Sequence, residues 1–319
     1  MPLWLSEADV RAVLDPSELI DAMETALAAF SAREIDQPVR TVLTVRDRSF
    51  FALMPAHHRE ASVLGAKLVT VYPGNAERKL PTHLAAISLF DPETGELLAV
   101  MDGRYITEVR TAAVSAVSVR HLARSNAKVL AILGSGVQAR SHLAMIRRVW
   151  PYAEARAWSP TAEHLSRFAV ECQVQAAGSA ADAVRGADVV VVATDMVTPA
   201  IENAWVDDGA HVIAVGACRP TQREVDPALT ARARLIVDSR EAALVESGDV
   251  VQSIAEGYFA AGHVGPELGD VAAGRMPGRT ADREVTLFKS LGLAIEDVTA
   301  AALAWRHACA SGRGTEVTL

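Results

Sequence analysis

The sequence predicts an α/β protein that combines a doubly wound parallel sheet with a separate α+β segment. From about residue 128 onward, short apolar runs alternate with helical patterns, which is typical of a parallel sheet covered by helices on both faces. Between residues 38 and 101, strand-like runs follow one another directly, with a turn signal at 91–95. This second pattern predicts an antiparallel or mixed sheet.

Length, charge and cysteine usage limit the classes of function. The chain has 319 residues, half of them hydrophobic, which is enough for one large or two ordinary domains. A net charge of −8 argues against nucleic acid as the main partner, and no apolar run is long enough to span a membrane. Cys172, Cys218 and Cys309 lack metal-type spacing, so no metal site is predicted. Without a signal-peptide pattern, the sequence predicts a cytoplasmic protein.

The first part of the chain is predicted to place two helices ahead of the α+β sheet. Helical periodicity covers residues 6–33, with Ser6 as a capping residue and a restart at Asp15. The predicted strands lie at residues 41–45, 49–54, 64–71, 85–90 and 97–101. A helix is predicted at 107–121, and residues 124–127 read as a junction.

The second part is predicted to alternate between strands and helices. The predicted strands lie at residues 128–133, 154–158, 173–176, 188–193, 211–215 and 234–237. The predicted helices lie at residues 137–150, 162–171 and 180–185, and the tail after residue 288 is also predicted to be helical. The last helix, at 295–310, is a candidate to pack back on the N-terminal domain.

A glycine-rich turn follows the first strand of this alternation. Residues 134–139 read GSGVQA. Gly134 permits a tight turn, Gly136 lets the backbone approach a pyrophosphate, and Ala139 is small enough for close helix–strand packing. A helix that begins near Val137 offers unpaired N–H groups to phosphate. The pattern predicts a dinucleotide site that includes Ser135, Val137 and Gln138.

Two further strand ends are expected to line the same crevice, because ligands bind outside the carboxyl ends of the strands in such sheets. The expected lining residues are Gly134, Ser135, Gly136, Ala193, Thr194, Gly216, Ala217 and Cys218, and Val215 is a further candidate cofactor contact. The strand ending at residue 158 carries no acidic residue that would repel a 2′-phosphate, while Ser159 and Thr161 could donate hydrogen bonds to one. The sequence therefore predicts NADPH as the preferred cofactor, with NADH as the alternative. Arg167 could reach the 2′-phosphate from the helix that follows. Alternatively, residues 159–161 could simply form a turn that caps this helix.

Several motifs in order give the chain a resemblance to a known family. They are GAK at 65–67, LPTH at 80–83, VRTAA at 109–113, the glycine-rich turn, AVGA at 214–217 and TLFKSLGLAIED at 286–297. Over nearly its whole length, the chain resembles the ornithine cyclodeaminase/mu-crystallin family. The resemblance implies a substrate and dimerisation domain at 1–124, completed by 295–319, and a Rossmann dinucleotide-binding domain at 125–294. It also implies a homodimer formed through the N-terminal sheet.

The resemblance further implies that Arg40, Lys67 and Arg110 contact a substrate carboxylate. An arginine fork suits this role, because it can bind a carboxylate in a bidentate manner. Lys67 lies in an otherwise apolar strand, where an ammonium needs an anionic partner, and it could donate a proton to a product nitrogen. The structural alternatives are a solvated edge position for Arg40, a surface-reaching side chain for Lys67 and a pair with Glu108 for Arg110.

Three hydroxyl or imidazole side chains are assigned by the same resemblance with less chemical support. Thr82 and Ser290 match positions that contact the cofactor, although either could be an ordinary loop or cap hydroxyl. His83 could also face the site, but a single histidine is more often a structural hydrogen-bonding residue.

Two positions depart from the cyclodeaminase pattern. Cys218, a candidate catalytic residue, stands where cyclodeaminases carry an aspartate, and a thiol with an ordinary pKa of about 8.5 is no substitute for a carboxylate. The structural alternative for Cys218 is a small buried residue without a catalytic role. Ala52 stands where the other ornithine contact is expected. Both departures favour the ketimine reductase members, which reduce pyrroline-2-carboxylate or piperideine-2-carboxylate. The alternatives are an ornithine or lysine cyclodeaminase, an alanine- or opine-type dehydrogenase, and a non-catalytic binding protein.

Overall fold

The structure is a computed structural model that describes residues 1–46, 49–194 and 196–318. The chain forms two compact units, one of Met1–Arg110 with Leu293–Leu319 and the other of Thr111–Gly292. The strands are β1 (Leu3–Leu5), β2 (Ile35–Asp36), β3 (Thr41–Arg46), β4 (Ser49–His58), β5 (Val63–Val71), β6 (His83–Phe90), β7 (Leu97–Asp102), β8 (Val129–Leu133), β9 (Glu154–Trp158), β10 (Gln175–Ala176), β11 (Val189–Val192), β12 (His211–Ala214), β13 (Arg234–Val237), β14 (Thr286–Lys289) and β15 (Thr315–Glu316). The helices are α1 (Glu7–Val13), α2 (Pro16–Ser31), α3 (Arg104–Leu122), α4 (Val137–Val149), α5 (Ala162–Cys172), α6 (Ala180–Val184), α7 (Pro227–Arg232), α8 (Arg240–Glu246), α9 (Gly248–Ala255), α10 (Leu268–Ala272) and α11 (Ala294–Ser311).

The first unit is built on a mixed sheet in the order β15-β1-β7-β6-β5-β4-β2, with β3 paired to β4. Strand β1 is parallel to β7, whereas β7, β6, β5 and β4 are joined by antiparallel pairs. The predicted antiparallel or mixed sheet is therefore confirmed. Helix α11 packs against α2, β4 and β5, so the end of the chain contributes to the core of this unit.

Polar caps determine where the early helices begin. Ser6 and Asp9 form a reciprocal capping box at the start of α1, and the Asp15 carboxylate accepts hydrogen bonds from two backbone N–H groups at the start of α2. Helix α3 begins at Arg104 instead of the predicted residue 107. The reason is that the Asp102 carboxylate accepts a hydrogen bond from Tyr105 N at 3.0 Å and so caps an earlier turn.

The second unit is built on a parallel sheet in the order β10-β9-β8-β11-β12-β14-β13. All of its strand pairs are parallel, which confirms the predicted doubly wound sheet. The buried strand β14 (Thr286–Lys289), between β12 and β13, was not predicted, and the helical tail begins at Ala294 and not directly after residue 288. The helix predicted at 295–310 is confirmed as α11. A charged Lys289 is not expected in a buried strand, and its neutralising partners, Glu224 and Asp249, are distant in sequence.

Short elements account for the other differences from the predictions. Strands β1, β2 and β15 have two or three residues, too few to show a period of two. The helices α7, α8, α9 and α10, of five to eight residues each, were also not predicted. The predicted domain boundary after residue 124 stays a prediction. Among residues 1–46, 49–194 and 196–318, no helix has the length and apolar character needed to cross a membrane.

Two fully buried histidines are part of the core of the second unit. His142 Nε2 lies 2.9 Å from Ser115 Oγ, and His142 Nδ1 lies 2.7 Å from the carbonyl oxygen of Gln138. His211 lies between the hydroxyls of Ser118 and Thr286, at 3.0 and 2.9 Å. Burial lowers the pKa of His142 to about 4 and that of His211 to about 3, so both rings are neutral in the folded protein.

We expect these two histidines to make the protein acid-sensitive. The unfolded chain binds a proton at each ring near pH 6.5, whereas the folded protein does so only near pH 4 and pH 3. The free energy of unfolding should therefore fall by about 1.4 kcal/mol per pH unit for each histidine below pH 6.5. Urea unfolding between pH 7.5 and pH 4.5 measures this slope, and the H142N variant should show a shallower one. An unchanged slope in H142N would contradict the assignment.

Candidate functional site

The glycine-rich turn has the geometry that a dinucleotide site needs. Gly134 has a φ of +125°, and a Cβ atom at this position would overlap the carbonyl oxygen of Ala193. Gly136 is the N-cap of α4 without a side-chain cap, and a Cβ atom there would meet no atom within 4 Å. Helix α4 begins at Val137 as predicted, so its first N–H groups face open space beside the turn. These features fit the pyrophosphate of a dinucleotide.

The three strand ends expected to line one crevice lie side by side. Strands β8, β11 and β12 are adjacent and parallel, so residues 134–136, 193–194 and 215–218 follow the same edge of the sheet. The Glu224 carboxylate joins two of these segments. It accepts hydrogen bonds from Gly216 N at 2.7 Å, Ala217 N at 3.0 Å and Thr194 Oγ1 at 3.3 Å. The neighbouring Cys218 is half-buried.

A buried ionic cluster, which sequence reasoning missed, supports this edge. Lys289 Nζ lies 3.3 Å from Glu224 Oε1 and 2.9 Å from Asp249 Oδ2, and all three side chains are almost fully buried. Asp249 Oδ1 also accepts hydrogen bonds from Glu224 N and Val225 N, both at 2.9 Å. Burial raises the pKa of Glu224, while the two carboxylates outweigh the effect of burial and raise the pKa of Lys289. The cluster thereby fixes the end of β14 to the loop after β12.

Ser290 is anchored from a third direction at this edge. The Asp238 carboxylate accepts hydrogen bonds from Ser290 Oγ at 3.3 Å, Leu291 N at 2.5 Å and Gly292 N at 2.7 Å. Ser290 is buried, and this bond gives its hydroxyl a structural partner. A cofactor contact by Ser290 stays a prediction.

The residues predicted to recognise the adenosine ribose lie between β8 and β9. Ser135 Oγ donates a hydrogen bond to Ser159 Oγ at 2.9 Å, and Thr161 is the N-cap of α5 without a side-chain cap bond. Arg167 bonds to Glu163 on the outer face of α5, 3.0 Å away, which does not favour the predicted reach toward a phosphate. Gln138 Oε1 is buried and, in the described part of the chain, has no hydrogen-bond partner.

Two of the three predicted substrate-binding cations lie together in the first unit. Lys67 Nζ donates a hydrogen bond to Asp297 Oδ2 at 2.5 Å, and Arg110 Nε donates to Asp297 Oδ1 at 2.9 Å. Arg110 also forms an ion pair with Glu296, instead of the Glu108 pair considered from the sequence. We call Lys67, Arg110, Glu296 and Asp297 the clamp cluster. All four are buried, so the prediction that Lys67 needs an anionic partner is confirmed.

The electrostatics of the clamp cluster suit proton transfer. Burial lowers the pKa of Lys67 to about 8, although Asp297 opposes this effect. Arg110 and Lys67 outweigh the burial of Asp297 and lower the pKa of that carboxyl. Lys67 therefore has an ammonium group that can release its proton near neutral pH, beside a carboxylate that stays ionised.

The remaining predicted residues of the first unit surround this cluster less closely. The positive charge of Arg40 contributes to the lowered pKa of Lys67. Burial, and then the Lys67 charge, lowers the pKa of His83 to about 4, so this ring is neutral. Thr82 is exposed and its carbonyl accepts a hydrogen bond from Tyr72 N at 2.8 Å. Ala52 is buried in β4 and provides no polar contact.

The fold and the geometry agree with what comparisons with known proteins find. A model of the ornithine cyclodeaminase/mu-crystallin family matches residues 2–311. The chain belongs to this family. The ketimine reductase mu-crystallin of Rattus norvegicus is 45% identical over 311 residues, which cover 95% of this chain and 96% of that protein.

Two solved structures extend the similarity within the family. The Δ1-pyrroline-2-carboxylate reductase of Thermococcus litoralis, in complex with NADH and L-proline, is 35% identical with a TM-score of 0.95 and covers 99% of this chain and 100% of that chain. An archaeal alanine dehydrogenase dimer with bound NAD is 32% identical with a TM-score of 0.95 and covers 99% of each chain. Members of the family with different reactions thus share the whole fold of this chain.

We expect the clamp cluster to be energetically coupled. D297N and K67M should each lower the free energy of unfolding by about 3 kcal/mol, because each removes one ionic partner from buried charges of the clamp cluster. The double variant should cost less than the sum, since it removes both charges together. Urea unfolding of the four proteins measures the coupling, and R167A, which breaks an exposed pair, should change stability by less than about 0.5 kcal/mol. Strictly additive losses would show that Lys67 and Asp297 do not stabilise each other.

Proposed function

We propose that this protein is an NAD(P)H-dependent reductase of cyclic ketimine carboxylates, converting pyrroline-2-carboxylate to proline or piperideine-2-carboxylate to pipecolate. The observation that carries the proposal is the buried clamp cluster, in which a lysine with a lowered pKa lies beside an arginine. A ketimine reductase and a pyrroline-2-carboxylate reductase, which match 95% and 99% of the chain, support the same chemistry.

The substrate carboxylate would be held by Arg40, Lys67 and Arg110. Lys67 has three N–H donors, and its hydrogen bond to Asp297 uses one of them. Fixing the carboxylate would orient the adjacent imine carbon toward the reductant, which is a positioning effect. Bound NAD(P)H supplies the hydride.

Lys67 would then deliver the proton that the product nitrogen needs. With a pKa of about 8, the ammonium form is the major one at neutral pH and still acidic enough to transfer its proton. Asp297 would keep the ammonium oriented through the 2.5 Å hydrogen bond. Cys218 has no step in this mechanism, in keeping with its interpretation as a small half-buried residue.

NADPH is the cofactor that we propose for this reaction, with NADH as the weaker alternative. Ser159 and Thr161 follow β9, where a fold that prefers NAD usually has an acidic residue for the ribose hydroxyls. The other proposed cofactor contacts are Gly134, Ser135, Gly136, Val137, Gln138, Thr82, Arg110, Ala193, Thr194, Val215, Gly216 and Ser290. A cytoplasmic location stays a prediction.

A homodimer through the sheet of the first unit is part of the proposal. Leu43, Leu53, Leu68 and Leu84 are between 37 and 59% exposed and lie on four neighbouring strands. Cross-strand pairing puts them on the same face, opposite the face that carries Lys67. A row of exposed leucines on one sheet face is typical of a protein–protein interface.

The first test is oxidation of NADPH by the purified protein with Δ1-pyrroline-2-carboxylate, with NADH in parallel. We expect turnover with both cofactors and a higher kcat/KM with NADPH. The rate should fall above about pH 8, because Lys67 then loses the proton that it must donate. K67M should lower kcat/KM by about a hundredfold or more, since general acid catalysis and carboxylate binding are both removed.

Other outcomes of this assay would overturn the proposal. Turnover with pyruvate and ammonia, but not with the cyclic imine, would identify an open-chain dehydrogenase. Ammonia release from ornithine without added cofactor would identify a cyclodeaminase. Full activity of K67M would show that Lys67 is not the proton donor.

The dimer is tested separately by charging the leucine face. L68E should convert the protein from a dimer to a monomer in sedimentation velocity, because a carboxylate cannot be buried unpaired in an apolar interface. V170E is the matched control, since Val170 is 78% exposed on α5 outside this sheet. A wild-type monomer, or an L68E dimer, would contradict this part of the proposal.

A further inference from the structure

We propose that Arg140 binds the 2′-phosphate of the cofactor and that Glu171 holds its guanidinium when the phosphate is absent. This inference deepens the proposed function, on which it rests for the class of cofactor. It assigns the preference for NADPH to a residue outside the loop after β9, where the sequence suggested only hydroxyls and Arg167.

Arg140 is hydrogen-bonded to the glycine-rich turn. Its Nη1 donates hydrogen bonds to the carbonyl oxygens of Ser135, at 2.5 Å, and Gly136, at 3.2 Å. Ser135 in turn donates through its hydroxyl to Ser159, which directly follows β9. The Arg140 guanidinium therefore lies against the glycine-rich turn. Through the hydrogen bond between Ser135 and Ser159, this turn also contacts the end of β9. In this fold, the 2′-position of the adenosine ribose lies at the end of that strand.

The loop after β9, residues 159–161, contains no acidic residue. Ser159 and Thr161 replace the acidic residue that would accept hydrogen bonds from a ribose diol, so nothing in the loop after β9 repels a phosphate. A phosphate monoester carries nearly two negative charges near pH 7 and binds best to an arginine fork. Arg140 supplies that fork, while Ser135, Ser159 and Thr161 supply hydroxyl donors.

The ion pair with Glu171 explains how the guanidinium stays in place without a ligand. Arg140 Nε and Nη2 lie 3.1 and 2.5 Å from Glu171 Oε2, and the Phe168 ring lies 5.3 Å from the guanidinium carbon. The side chains of Arg140 and Glu171 are 35 and 47% exposed, so this pair is solvent-screened and weak compared with a buried one. A phosphate dianion can therefore replace Glu171 as the partner of Arg140.

Arg167 makes a useful contrast on the neighbouring helix. Its guanidinium bonds to Glu163 one turn earlier on α5, and both side chains are more than half exposed. It has the same charge and a similar partner as Arg140, but no contact with the glycine-rich turn. It is therefore the matched control for Arg140.

The test compares binding of 2′,5′-ADP and 5′-AMP by calorimetry, because these ligands differ only in the 2′-phosphate. R140A should raise the Kd for 2′,5′-ADP about tenfold or more and change the Kd for 5′-AMP by less than about threefold. E171Q should tighten 2′,5′-ADP by about twofold to fivefold, because it removes the competing carboxylate. R167A should leave both ligands unchanged, and thermal melting should show that all three variants fold.

Each contrary result has a distinct meaning. Equal weakening of both ligands by R140A would make Arg140 a residue that merely holds the glycine-rich turn, and no weakening of either would remove it from the site; both overturn the inference. Loss of 2′,5′-ADP binding in R167A as well would indicate a general charge effect and also overturn it. If R140A loses 2′,5′-ADP selectively while the wild type reduces no imine, the phosphate site stands and the proposed function falls.

Discussion

A lysine ammonium buried between two carboxylates holds together the loops at the carboxyl edge of the parallel sheet, where we propose that the dinucleotide binds. Lys289 at the end of β14 pairs with Glu224 and Asp249, and Glu224 in turn accepts the backbone N–H groups of Gly216 and Ala217. Water is excluded from these groups, so each depends on the others for its hydrogen bonds and its charge. The positions of the loops after β11 and β12 follow from this cluster, and with them the shape of the surface offered to a dinucleotide. The sequence next to Glu224, Asp249 or Lys289 gives no sign that these three side chains form a cluster.

The first unit uses the same physical solution for a different purpose. Glu296 and Asp297 compensate the buried charges of Arg110 and Lys67. In the second unit the carboxylates stabilise backbone geometry, whereas here they keep two cations in a state suited to an anionic substrate and to proton transfer. The buried Lys67, which we propose as the proton donor, is tolerated in an apolar strand because helix α11 supplies its counter-charge through Asp297. Stability and chemistry at this site are thus properties of the same four side chains.

Local sequence patterns predicted most of the fold and only part of the candidate site. The glycine-rich turn, the capped starts of α1 and α2 and the long strands were readable, since each signal lies within a few residues. Strand β14 and the ionic partners of Asp297 and Glu224 were not, because Asp297 pairs with Lys67 at a separation of 230 residues and Glu224 with Lys289 at a separation of 65. The sequence offered only Arg167, from the helix after β9, as a charged phosphate ligand; the fold shows that Arg140 is the arginine that hydrogen-bonds to the turn. Long-range charge pairing is what a single sequence conceals.

The return of α11 to the first unit also affects the order in which the protein can be made. Domains generally fold as units during synthesis, with the N-terminal one first. Here residues 1–110 leave the ribosome before residues 294–311, and until those emerge they lack the helix that fills their core and neutralises Lys67 and Arg110. Residues 111–292 carry their own partners for Lys289 and are complete sooner. Residues 1–110, about a third of the chain, must therefore wait for a helix that is translated much later, with an apolar sheet face and two uncompensated cations exposed in the meantime.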